Sequence, residues 1–160
     1  MKIYFLRHGE AGAAISDVDR ALTEIGERDS SNIASLCRRS LVTFTHVVTS
    51  PILRAKQTAV LAIAHQPALT IEESEFLTPN ADPKNMINYL RSFTSESHIL
   101  CVTHEPFAST CISTLISGTE SSQIIMKPAS MACVETYGAP SRGNGRLLWL
   151  INPDMVRNIL

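Results

Sequence analysis

Three short, apolar, β-rich segments punctuate this chain, and each stops abruptly at cationic or imidazole side chains. Lys2 to Leu6 is a nearly continuous apolar run that ends at Arg7-His8-Gly9-Glu10. His46 to Thr49 leads through Ser50-Pro51 to Arg54, and His98 to Thr103 runs into His104-Glu105-Pro106. Runs of this length, bounded by turn and helix-start signals, read as buried strands. Helical patterns separate them. Thr23 caps a helix whose first turn holds Glu24 and Glu27, near the positive end of its dipole. Ile33, Leu36 and Cys37 supply its apolar face, with Arg38 and Arg39 near its negative end. Ser50-Pro51 predicts the next helix start, a capping hydroxyl followed by proline at the first helical position. Ile52, Ala55, Ala59, Val60 and Ile63 keep helical spacing behind it. A short strand is expected over Leu69 to Ile71. Asp82-Pro83 repeats the cap-plus-proline signal before Met86, Ile87, Leu90 and Phe93. The last helix buries Phe107, Cys111, Ile112, Leu115 and Ile116 and stops at Gly118.

Strands alternating with helices imply βαβ units, so the fold class is α/β, a mostly parallel central sheet flanked by helices. Met131 to Tyr137 and Arg146 to Ile151 read as two further strands, joined by the turn from Gly138 to Gly145. They predict an antiparallel C-terminal hairpin at a sheet edge. The 160 residues fit a single domain, 1–160, in a compact form without a lid insertion. Balanced charge (14 basic, 15 acidic) leaves no electrostatic footprint for nucleic acid or a membrane surface. No run approaches the roughly 18 apolar residues of a membrane span, and the first apolar segment is too short for a signal peptide. A cytoplasmic location is expected. Cys37, Cys101, Cys111 and Cys133 are widely spaced with no C-x-x-C pair, which predicts free buried thiols and no structural zinc.

In open α/β sheets, ligands bind outside the carboxyl ends of the strands. That rule selects the loops after Leu6, Thr49 and Thr103. They offer Arg7, His8 and Glu10, then Arg54, then His104. Two arginines and two histidines around one crevice make an oxyanion trap: guanidinium binds phosphate through paired N–H donors. A neutral imidazole can attack phosphorus and form a phosphohistidine. A second histidine, if protonated, can stabilise charge on the equatorial oxygens. Singly, these are weak signals: Arg54 fits a solvated helix residue, His104 a satisfied core histidine. Their occurrence together at three strand exits gives the pattern its weight.

The run Leu6-Arg7-His8-Gly9-Glu10 resembles the signature of the histidine phosphatase superfamily, the phosphoglycerate mutase-like proteins. Ser50-Pro51-Ile52-Leu53-Arg54-Ala55-Lys56-Gln57-Thr58-Ala59 resembles its second motif, and Val102-Thr103-His104-Glu105-Pro106 its third. Ser16 to Thr23 and Leu77-Thr78-Pro79 resemble the SixA-type phosphohistidine phosphatases, a narrower branch. The resemblance covers nearly the whole chain in order. It implies that His8 is the nucleophile accepting the phosphoryl group. Arg7 and Arg54 would bind its oxygens and His104 would complete the pocket. Arg20 matches a branch arginine that can also reach phosphate; Asp17 matches an acidic neighbour with no assigned role. No metal or organic cofactor is implied. Larger members protonate the leaving oxygen with an acidic residue, whose equivalent here is not evident. Glu10, Glu72, Glu73 and Glu75 are candidates, with surface roles as the alternative for the last three. Glu105 stands where many relatives carry a neutral residue; it either raises the pKa of His104 or faces solvent.

An ester's alkoxide leaving group is very basic, so its cleavage gains roughly a hundredfold or more from a positioned acid. Imidazole leaves phosphohistidine far more readily, its conjugate acid having a pKa near ~6.5. The expected substrate is therefore a phosphohistidine-bearing protein, a phosphotransfer domain of a two-component system or a phosphocarrier. Alternatives are a phosphatase for small phosphate esters or anhydrides, and a non-catalytic phosphate-binding module. A monomer is expected.

Overall fold

The computed structural model of the chain describes residues 1–121, 123–157 and 159. Six strands form one mixed sheet: β1 (Lys2–Arg7), β2 (His46–Thr49), β3 (Ile71–Glu73), β4 (His98–Thr103), β5 (Met131–Thr136) and β6 (Gly145–Ile151). Their spatial order is β3-β2-β4-β1-β5-β6. The pairings β1–β4, β4–β2 and β2–β3 are parallel, while β5 runs antiparallel to both β1 and β6. The expected α/β architecture is observed, with the C-terminal hairpin at one edge.

Alternating side chains on β1 divide the core into two layers. Ile3 and Phe5 pack with Met86, Ile87 and Leu90 of α3 (Pro83–Leu90) and Phe107, Cys111 and Leu115 of α4 (Phe107–Ser117). Tyr4 and Leu6 face the opposite way. They join Ile33 and Cys37 of α1 (Glu24–Arg39), Ala55 and Ala59 of α2 (Leu53–Ala62) and Val156 of α5 (Pro153–Val156). All four cysteines are buried free thiols.

The caps of α1 and α3 follow the sequence. Thr23 Oγ1 accepts from the Gly26 amide at 3.1 Å, and Asp82 Oδ1 accepts from the Lys84 amide at 2.8 Å. Gly118 ends α4 at φ 76°, a left-handed conformation suited to glycine. The start of α2 differs from expectation. Its first residue is Leu53, Ile52 stands at the cap, and no side chain caps it. Ser50 Oγ is engaged elsewhere, and its reach to the Ile52 amide is a long 3.4 Å. β3 also lies further along than expected, because Gln66 to Leu69 close a turn first; Ile71 is the residue that pairs with Val47. Val60, expected on the apolar face of α2, is exposed.

Candidate active site

Register brings the three strand exits together. Arg7 pairs with Thr103 and Thr49 with Val102. One residue further, the His8 amide donates to Thr103 O at 2.9 Å and the Ser50 amide to Val102 O at 3.0 Å. His8, Ser50 and His104 thus stand side by side at the carboxyl end of the central strands. Thr58 ties α2 to this row, accepting from the Gly9 amide at 3.0 Å and donating to Arg54 O at 2.8 Å. α1 presses in from the other side. A Cβ on Gly26 would lie 2.1 Å from Glu10 O, and one on Gly9 would lie 2.6 Å from Gly26 O. Only glycine at both places permits this approach, which locks the loop carrying His8 against α1.

The partners of His8 define its tautomer. Its Nδ1 lies 2.7 Å from Gly9 O, and a carbonyl can only accept, so Nδ1 carries the hydrogen. Nε2 keeps its lone pair and accepts from Arg54 Nε at 3.2 Å. The His104 ring stands beside it, with centroids 5.0 Å apart and planes inclined by 58°. Burial is the main cause that lowers the His8 pKa to about 4; Gly9 O opposes the shift, while Arg54, Arg7 and Arg20 add to it. Burial, then His8 and Arg54, lower His104 to about 3. Both rings are therefore neutral at neutral pH, and the cationic form of His104 is not the resting one.

Arg54, only 4% exposed, anchors the cationic wall. Its Nη1 donates to Asp17 O at 2.7 Å and its Nη2 to Asp17 Oδ2 at 3.0 Å. Arg7 Nη1 donates to Met126 O at 2.7 Å, while its buried Nε has no partner. Arg20 is turned onto its own loop. Its Nε donates to Gly12 O, its Nη2 to Ala11 O and its Nη1 to Asp17 Oδ1, at 2.7, 3.1 and 3.1 Å. Hydrogen bonds from Arg20 and Arg54 hold the exposed Asp17 carboxyl below its usual pKa. The arrangement offers one unprotonated ring nitrogen among guanidinium groups, which suits attack on an anionic, electrophilic phosphorus.

Residues 3–78 match the histidine phosphatase superfamily (branch 1). Over 158 residues the chain is 28% identical to phosphohistidine phosphatase SixA of Escherichia coli K12, covering 96% of this chain and 94% of that protein. The match over residues 3–78 and the likeness to SixA support the histidine phosphatase superfamily for this chain. The solved structure of the protein histidine phosphatase SixA with tungstate superposes at a TM-score of 0.87. It shares 28% identity and covers 97% of this chain and 99% of its own. A phosphoserine phosphatase mutant of Entamoeba histolytica has the same fold: TM-score 0.74, 14% identity, 95% and 97% coverage. The matched superfamily and the likeness to SixA support a phosphatase hydrolase.

The carboxylates considered for the superfamily's proton-donor role are engaged away from His8. Glu10 Oε1 accepts from Thr23 Oγ1 at 2.8 Å, Glu72 Oε1 from Tyr89 at 2.7 Å, and Glu73 pairs with Lys56 at 3.4 Å. Glu75 lies exposed in a 3-10 turn. Glu105 corrects the expectation set for it: its two oxygens accept from the amide and hydroxyl of Ser109, at 3.0 and 2.7 Å. It caps α4 at its first turn, and its field opposes the lowering of the Arg7 pKa by burial. The structure adds residues that carried no assigned role in the sequence. Gln57 Oε1 accepts from the Leu22 amide at 2.8 Å and fastens the 11–22 loop to α2. Thr58 lies within the quoted motif, whereas Met126 O has no local sequence signal at all. No group of three or more His, Cys, Asp or Glu side chains with metal-ligand geometry occurs among the described residues.

Proposed function

We propose that the chain, acting as a single domain, is a phosphatase that removes the phosphoryl group from a histidine of a partner protein. His8 Nε2 attacks phosphorus while the substrate P–N bond breaks. The departing imidazole leaves as a neutral ring if its other nitrogen is protonated beforehand. The phosphoryl group then sits on His8 Nε2. Water attacks it, giving inorganic phosphate and restoring the neutral ring. During transfer Arg54 moves its Nε–H from the His8 lone pair to a phosphoryl oxygen, Arg7 supplies its unpartnered Nε–H, and His104 completes the wall. Arg20 holds the loop and contributes its field, with direct contact to phosphate requiring release of Asp17.

One observation carries the choice of substrate: the carboxylate that touches Arg54, that of Asp17, is held as a hydrogen-bond acceptor by two arginines. Asp17, the nearest to Arg54, has its pKa pushed down, which makes it a poor proton donor. Such a site suits a leaving group that needs no general acid, and phosphohistidine supplies one. The likeness to SixA supports the same reading. Initial rates on a phosphohistidine-bearing phosphotransfer domain or phosphocarrier, against p-nitrophenyl phosphate and sugar phosphates, test it. The expected preference for the P–N substrate is on the order of a hundredfold in kcat/KM, comparable to what a positioned acid contributes to ester cleavage. Faster turnover of the esters would assign the site to small phosphate esters instead.

A further inference from the structure

Ser50 stands where a helix cap was expected, yet its hydroxyl serves another element. Ser50 is fully buried, and its Oγ lies 2.8 Å from His104 Nε2. Among the described residues, the other hydrogen-bond partner of that oxygen is the Ile52 amide, which can only donate to it. The hydroxyl hydrogen therefore has one acceptor available among the described residues, the lone pair of His104 Nε2. A neutral imidazole that accepts at Nε2 must carry its hydrogen at Nδ1. His104 Nδ1 is buried and has no partner.

We infer that Ser50 is a positioning residue that holds His104 in its Nδ1–H tautomer, so that a neutral His104 donates this hydrogen to a phosphoryl oxygen on His8. The two rings then share one tautomer and perform opposite tasks. Gly9 O fixes the hydrogen on His8 Nδ1 and exposes an attacking lone pair at Nε2. Ser50 blocks the lone pair of His104 and leaves a donor. No proton has to be taken up by His104 before the phosphoryl group arrives, which suits a ring buried beside guanidinium groups. The inference rests on the phosphoryl-transfer reading for its purpose, but the tautomer itself is measurable without any substrate.

Long-range 1H–15N correlation spectra of the 15N-histidine-labelled protein at pH 7 read it directly. The wild type should show His104 neutral, with Nδ1 protonated and Nε2 bearing the lone pair. Ser50→Ala should shift the ring toward the Nε2–H tautomer and lower kcat on phosphoramidate roughly ten- to a hundredfold, the range seen when a group that orients a functional histidine is removed. The His8 signals should keep their pattern. Ser50→Thr, which retains the hydroxyl, should restore the tautomer. An Nε2–H or cationic His104 in the wild type would overturn the inference, as would a Ser50→Ala protein with unchanged tautomer and unchanged kcat. Were Ser50→Ala to fail to fold, the wild-type spectrum alone decides. Slow turnover of every P–N substrate with the expected tautomer present would instead count against the proposed function.

Discussion

The floor and the rim of the site are built differently. The floor consists of His104, Ser50, Thr58 and Arg54, all buried, together with the backbone of Gly9. Strand register, two glycine contacts and a chain of hydrogen bonds each specify it, so its geometry is over-determined. The rim consists of the 11–22 loop and the segment around Met126. It exposes Ile15, Val18 and Ile125 and meets the site's arginines through the carbonyl and carboxylate of Asp17 on Arg54 and Met126 O on Arg7. The residues to which the proposed function gives the chemistry therefore sit where the fold leaves little freedom. The 11–22 loop, exposed at Ile15 and Val18, is the part of the rim with fewest buried contacts, the kind of segment that opens locally first.

That contrast is broken most severely at the floor. Arg54→Ala removes the guanidinium that touches both His8 and Asp17, and kcat/KM should fall about 10²- to 10³-fold, the usual effect of deleting one charge-stabilising donor. Circular dichroism and thermal unfolding should show a folded protein; near-wild-type turnover would remove Arg54 from the site.

Next in size is the response to acid. In the unfolded chain both histidines titrate near ~6.5, whereas in the folded protein His8 and His104 are lowered to about 4 and about 3. Between these limits the unfolded state binds more protons, so stability declines as pH falls from roughly 6.5 toward 4. Urea unfolding at pH 7 and pH 4.5 should differ by a few kcal/mol from these two groups, and the double variant His8→Gln/His104→Gln should flatten the dependence. The acid limb of kcat/KM should likewise fall below pH 5 rather than near 6.5. A limb near 6.5 would show that the floor is wetter than its burial implies.

The smallest effect is expected at the rim. Asp17 is exposed and competes as an anion for Arg54. Asp17→Asn removes that charge, and inorganic phosphate should inhibit more tightly by no more than about fivefold, the scale of an exposed ion pair. Weaker inhibition would mean that Asp17 chiefly positions Arg54.

The sequence was most readable where local rules and tertiary structure agree. β1 and β4 are continuous apolar runs, and Thr23, Asp82 and Gly118 act at their helix ends as such residues do. Their exits delivered His8, Arg54 and His104 to one place because parallel strands end on the same side. Reading failed where a side chain had two suitable partners. Ser50 has the chemistry of a cap, but the buried ring of His104 lies at the end of the neighbouring strand, and a contact 54 residues away leaves no local trace. Glu105 follows the opposite course: beside His104 in sequence, it turns away to cap α4 through Ser109. The carbonyl of Met126 holds Arg7 from 119 residues away, and any residue type supplies a carbonyl.

The central claim is that His8 Nε2 carries the phosphoryl group between substrate and water. Rapid-quench labelling with a 32P-phosphohistidine protein tests it most directly. The account predicts a transient protein-bound label that is acid-labile and base-stable, maps to the peptide containing His8 and disappears in His8→Ala. A label on another residue, or undiminished turnover in His8→Ala, would contradict it.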